Sequence, residues 1–222
     1  MYFFFIYRIY LSGDNLKTKK IANELKKNKY KYTFLITIII IGIVSGIILS
    51  NILSYNDKKE IGEMVTSYLS SLKDNQNISL SNLINSSIVN ITYVLLIFIF
   101  SLSIIGIVLN PILLYFKSFI IGFSIGIMIN LYSYKGILFG IFSVFPHQFI
   151  NIIMYLFLCF YGIKLSIKLF ELIFLKKQFN FAVYMKKYLK VIGVSCIVLV
   201  FSSLYETFLA DFIIKVFTFW IN

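Results

Sequence analysis

Thr33–Leu53 contains no charged side chain, and neither does Ile88–Leu109. Each is long enough to cross the roughly 30 Å hydrocarbon core of a bilayer, which takes about 20 apolar residues in a helix. In lipid a helix is the one single-segment structure that satisfies its own backbone N–H and C=O groups. Further stretches read the same way. Ser118–Tyr134 is shorter and is flanked by Lys117 and Lys135, whose long stems can reach opposite interfaces. Ile137–Leu165 is long enough to cross but carries Pro146, and Val191–Trp220 ends near an indole suited to an interfacial belt. The reading is an all-α, polytopic membrane protein with about five transmembrane helices. With 59% hydrophobic and only 14% charged residues, the chain is too apolar for a soluble domain.

Orientation follows from the basic residues. Before the first span stand Arg8, Lys17, Lys19, Lys20, Lys26, Lys27, Lys29 and Lys31. After the fourth stand Lys164, Lys168, Lys176, Lys177, Lys186, Lys187 and Lys190. Five crossings put both groups, and Lys117, on one side, leaving Lys58, Lys59, Lys73 and Lys135 for the other. The positive-inside rule then gives N-in and C-out in a cell membrane. Residues 1–32 read as a basic cytoplasmic leader and 33–222 as one transmembrane domain, with an outer loop at 54–87 and an inner basic segment at 166–190. Met1–Leu11 is aromatic, but it is shorter than a span and lacks the basic start and small-residue cleavage site of a signal peptide. The net charge of +12 suits anionic lipid headgroups, because the charges gather beside apolar segments. No nucleic-acid module accompanies them, so lipid rather than nucleic acid is the expected partner.

In the outer loop Ile61, Met64, Val65, Tyr68, Leu69 and Leu72 recur at helical spacing on one stripe. They predict an amphipathic helix lying on the outer membrane surface or against a partner. Gly-x-x-x-Gly occurs at Gly42–Gly46, Gly122–Gly126 and Gly136–Gly140, more often than 11 glycines supply by chance. Such pairs let helices approach closely. Packing within the chain is the preferred use, and a homo-oligomer or partner interface is the other. In Phe145-Pro146-His147-Gln148 the proline frees a carbonyl one turn earlier, beside the sole histidine of the chain. Broken helices with polar groups at membrane depth mark transport or binding sites. A kink satisfied by Ser143, Gln148 or Asn151 is the simpler account. Glu206 and Asp211 lie in the outer half of the fifth span; Asp211 has Lys215 four residues on, whereas Glu206 has no such neighbour. One histidine without nearby Asp, Glu or Cys gives no metal site. Cys159 and Cys196 fall inside apolar spans, so no disulfide framework is implied. Without a Gly-x-Ser-x-Gly, His-Glu-x-x-His or Walker pattern, neither an enzyme nor a cofactor is expected.

The order of these parts resembles the stage II sporulation protein M family. The likeness rests on the Lys-rich leader, the polar outer loop, Lys117-Ser-Phe119-Ile-Ile-Gly122-Phe123-Ser-Ile-Gly126, Gly136-Ile-Leu-Phe-Gly140 and Phe145-Pro146-His147. It covers most of Lys17–Asn222 and is strongest from Lys117 to Asn151. Many relatives carry a Glu soon after the Pro-His pair, where this chain has Asn151, which weighs against an acid–base or metal role. The resemblance implies a non-catalytic membrane scaffold for engulfment during endospore formation. Its implied place is the mother-cell or septal membrane, and its implied partners are the cell-wall hydrolases known as sporulation proteins D and P. The residues alone leave a second reading, a transporter or channel subunit built on the Pro-broken helix and intramembrane Glu206.

Overall fold

The computed structural model describes residues 28–74, 80–139 and 145–221. The leader up to Lys27, together with Gly140 and Asn222, lies outside the described residues. The described chain forms helices only: α1 (Lys29–Ile52), α2 (Tyr55–Asp74), α3 (Leu80–Ser101), α4 (Gly106–Phe139), α5 (Phe145–Phe174) and α6 (Phe181–Ile221). All but α2 are long and apolar enough to cross a membrane, over Lys29–Ile52, Leu83–Ser101, Gly106–Ser133, Pro146–Phe174 and Phe181–Thr207. The protein is an all-α polytopic membrane protein.

Side-chain pairings fix the relative directions of these five helices. Gly42 of α1 meets Ser118 of α4, Gly46 meets Phe119 and Phe123, and Ser50 meets Gly126, so α1 and α4 run in parallel. Asn90 and Ser86 of α3 meet Ser203 and Glu206 of α6, an antiparallel order. Asn90 and Ser101 meet Tyr155 and Ser166 of α5, a parallel one. Tyr93 and Ser101 of α3 meet Leu113 and Asn110 of α4, again antiparallel, so successive long helices alternate in direction, as crossing helices do. α5 is the most enclosed. Its Tyr155, Leu158, Phe160 and Leu165 pack with Leu35, Val94, Leu114 and Leu199 to form the core. Ile40, Val44, Ile48, Ile99, Ile120 and Phe201 point outward, as lipid-facing positions do.

The turns fall where apolar composition hides them. The sequence places one at Asn110-Pro111, but α3 ends at Ser101 and α4 begins at Gly106. Ser103 makes this turn: its hydroxyl accepts the Ile105 N–H at 3.1 Å and its carbonyl accepts the Gly106 N–H at 3.2 Å. Pro111 then sits inside the second turn of α4, where it removes the donor to the Ile107 carbonyl, a loss that membrane helices tolerate when neighbouring groups make it good. At the far end of α4, Ser133 leaves helical geometry at φ 52° and ψ −131°. Pro146, expected to interrupt a span over Ile137–Leu165, instead opens α5. There its absent N–H is one that the first turn would leave unpaired anyway. The inner basic segment is divided between the end of α5, a short link at 175–180 and the first turns of α6.

Candidate functional site: a polar column inside the bundle

A five-helix bundle in lipid gains nothing from burying apolar side chains against one another rather than against acyl chains, so polar and small residues must specify its arrangement. Here they do so in two places.

One is the contact of α1 with α4. An added Cβ on Gly42 would lie 2.8 Å from the Tyr115 carbonyl oxygen, and one on Gly46 would lie 2.6 Å from the Phe123 amide nitrogen. Gly122 faces the Ile43 backbone and Gly126 faces Ser50. The two Gly-x-x-x-Gly motifs thus face each other within one chain. Across the same seam Ser45 and Tyr115 share a hydrogen bond of 3.0 Å, and Asn130 Nδ2 donates to the Ser50 carbonyl at 3.0 Å. Gly136 lies on α4, with its surroundings outside the described residues.

The other place is a column of buried polar groups running between α3, α4, α5 and α6. At one end, Ser86 Oγ donates to Glu206 Oε2 at 2.6 Å, and His147 Nε2 lies 3.7 Å from Glu206 Oε1. The imidazole is buried while the carboxylate keeps a third of its surface exposed. Ser202 anchors the same turn by donating to the His147 carbonyl at 3.2 Å. One level further in, Asn90 Nδ2 donates to Ser203 Oγ at 3.1 Å, and Tyr155 Oη donates to Asn90 Oδ1 at 2.9 Å. The Lys117 ammonium comes next, 5.2 Å from the Tyr93 ring centroid and 5.5 Å from that of Tyr155. At the opposite end Asn110 Nδ2 donates to Ser101 Oγ at 2.9 Å, Ser101 and Tyr188 share a bond of 2.9 Å, and Ser166 Oγ donates to the Ser101 carbonyl at 3.1 Å. Gly162 makes room for this knot, since a Cβ there would lie 2.8 Å from Asn110 Nδ2.

Lys117 departs most from the sequence reading. Expected to snorkel to an interface, it is only 8% exposed. No carboxylate among the described residues lies within 4.0 Å of it. Two aromatic faces hold it instead, and a desolvated cation–π contact is worth about 2 kcal/mol. The Asp211 side chain lies outside the described residues, and Glu206 acquires His147 and Ser86 as neighbours from other helices. The amphipathic stripe lies on α2, whose start is capped reciprocally: Ser54 Oγ accepts the Asp57 N–H at 3.2 Å and donates to Asp57 Oδ2 at 2.7 Å. Lys58 Nζ donates to the Asn51 carbonyl at the end of α1 at 2.8 Å, and Gly62 packs against Leu131 of α4. Ile61 and Val65 are half-buried and Met64 is exposed, while the surroundings of Tyr68, Leu69 and Leu72 lie outside the described residues.

The family model described as Stage II sporulation protein M matches residues 34–211. The chain belongs to the stage II sporulation protein M family. It is a sporulation-related, multi-pass membrane protein. Neither the curated proteins nor the solved structures give a match. In this family member, Phe119, Gly122 and Phe123 of the shared α4 stretch face α1, with the two phenylalanine rings stacked at 6.3 Å. Lys117, two residues before Phe119, turns the other way into the column. Pro146 starts the helix that delivers His147 to the same column. Tyr155 and Tyr188 were not among the residues singled out from sequence, and Asn110 was read only as part of a turn. Tyr155 and Asn110 interrupt apolar runs, and the signal that could have found their pairing is their cost in lipid if left unpaired.

Proposed function

We propose that this protein is a non-catalytic membrane scaffold of the engulfment machinery, which recruits or positions peptidoglycan hydrolases at the septal and engulfing membrane. Family membership over residues 34–211 is the observation that carries this reading. Two physical features suit it. The α1–α4 seam is closely packed, and α2 is tied to both of its helices at one end, through Asn51 and Leu131. With the lysine-rich face inward, α2 and the outer ends of the spans face the wall, where a hydrolase works. The proposed partners are the wall hydrolases named sporulation proteins D and P. The direct test is deletion in a strain lacking redundant engulfment pathways, followed by microscopy of membrane migration around the forespore, with pull-down of the hydrolases from the same cells. Normal engulfment without the protein refutes the reading.

The polar column favours a second reading, a transporter or channel subunit, because it places Glu206 and His147 at the open end of a series of buried polar groups. The two readings part at Glu206→Gln. A scaffold keeps its hydrolases and its engulfment phenotype with this change, whereas a transporter loses flux in reconstituted vesicles.

A further inference from the structure

Two polar side chains in the middle of the bundle have needs that the neighbouring helices do not meet. Lys117 is 8% exposed, and no carboxylate among the described residues lies within 4.0 Å of it. The Tyr93 and Tyr155 rings face its ammonium, but three N–H donors call for oxygen acceptors, and a bare charge at membrane depth is costly. Asn151 is 1% exposed, and its Oδ1 accepts no hydrogen bond from any described residue. Asn151 stands one helical turn after His147 and one before Tyr155, so all three share the face of α5 that lines the column. It therefore lies between the level of Glu206 and His147 and the level of Tyr155 and Lys117. Glu206 is also the carboxylate whose charge reaches Lys117.

The charges decide what fits between them. A cation would be repelled by Lys117 and an anion by Glu206, which leaves a neutral molecule that both donates and accepts. Water does both, and it occupies buried sites where it finds at least two polar partners. The residual exposure of Lys117 and the third of Glu206 left open give a water-sized molecule access. We propose that the half of the column between Lys117 and Glu206 holds buried water, which accepts from the Lys117 ammonium, donates to Asn151 Oδ1 and joins the two charges into one bridged ion pair. Toward the other end, fully buried Leu114 and Cys159 separate Lys117 from the knot of Ser101, Asn110 and Tyr188. The hydrated part is thus an inlet from the Glu206 end that stops at Lys117.

Hydroxyl-radical footprinting of the full chain in nanodiscs tests this, because X-rays generate the radicals from water and mark side chains beside it. Tyr155 is fully buried, so its labelling reports internal water, and Tyr188, equally buried in the knot, is the reference between variants. Asn151→Leu should lower Tyr155 labelling on the order of tenfold and leave Tyr188 unchanged, because an apolar side chain removes one of the partners that hold the water. Absence of Tyr155 labelling in the parent, or labelling that Asn151→Leu does not change, overturns the proposal. Should that variant fail to fold, Lys117→Met removes the other partner at constant side-chain length and should lower Tyr155 labelling in the same way. The bridged pair has its own readout. Glu206→Gln should lower the melting temperature by about 5 °C, because it leaves a buried ammonium without its counter-charge, and should have no such effect in the Lys117→Met background. Equal losses in both backgrounds would show that the two charges are not coupled and would overturn the pair.

Discussion

Gly122→Ala probes the contact on which the bundle most depends. The new methyl carbon would stand 2.7 Å from the Cα and the carbonyl carbon of Ile43, and nearer still to its carbonyl oxygen. All three are backbone atoms, so no rotamer change relieves the clash. Ordinary carbon contacts are about 3.5–4.0 Å, and α1 must therefore retreat from α4 by roughly 1 Å. Overpacking of this kind costs about 1–3 kcal/mol. The same retreat stretches the Ser45–Tyr115 and Asn130–Ser50 hydrogen bonds, each worth about 0.6 kcal/mol between membrane helices. Alanine returns about 1 kcal/mol through its better helix propensity. The net loss is about 1–3 kcal/mol, which for a chain of this size lowers the melting temperature on the order of 5 °C. Thermal melts of the detergent-solubilised protein, followed by size-exclusion chromatography, measure it directly. Gly193→Ala is the matched control, since an added Cβ there meets nothing within 4 Å. It should be neutral or slightly stabilising. The reasoning is refuted if Gly122→Ala melts with the parent, or if Gly193→Ala is equally damaging. A shift in elution volume without a change in melting temperature would instead assign the glycines to an interface between copies.

The remaining predictions address the column and the topology. Lys117→Met removes a buried ammonium but keeps the side-chain length, and should leave the melting temperature unchanged or raise it, because burying a charge costs more than its replacement by an apolar group. A fall of more than about 5 °C would show instead that the ammonium holds Tyr93 and Tyr155 together. Tyr155→Phe leaves Asn90 Oδ1 without its donor and should cost about 1–3 kcal/mol, whereas Tyr93→Phe gives up only a 3.3 Å bond to the Leu113 carbonyl and should cost less. Equal melting temperatures for the two variants would remove Asn90 from the column. An alkaline phosphatase fused after Asn222 should be active and one inserted between Lys176 and Lys177 inactive; the reverse pattern overturns N-in, C-out.

The sequence resolves this fold where an uncharged run meets a lysine cluster. Thr33–Leu53 becomes α1 almost residue for residue, and the stripe from Ile61 to Val65 lands on a helix. It fails where a turn is built from apolar residues. Leu102, Ile104 and Ile105 continue the hydrophobic pattern of their neighbours, and only Ser103, one serine among several in the run, makes the break. Asn110-Pro111 offered a louder signal and a wrong one, because membrane helices tolerate an internal proline when neighbouring groups satisfy the freed carbonyl. Lys117 misled for a related reason. Its place beside the run Ser118–Tyr134 suggested an interface, while its real surroundings, two tyrosine rings from other helices, are set by tertiary packing. The pairing of Glu206 with His147 across nearly sixty residues belongs to the same class: each was visible as an oddity, and neither named the other.

A series of polar groups inside a membrane protein invites a reading as a conduit, but its local chemistry describes a lock. Ser101, Asn90 and Ser203 are closed by partners on neighbouring helices, and each bond joins elements that lipid alone gives no reason to associate. Two adjacent stretches of one helix carry the arrangement: Asn110 secures α4 to α3 and α5, and Phe119, Gly122 and Gly126 secure it to α1. A bundle held this way keeps the outer ends of its spans in fixed register, which is what a platform for another protein needs. Glu206 is the exception within the column, partly open and 3.7 Å from the His147 imidazole. If the lock is the function, Glu206→Gln keeps the Ser86 contact through the amide oxygen and the protein still docks its partners. If that variant loses its partners while its melting temperature holds, the open end of the column is itself the docking point.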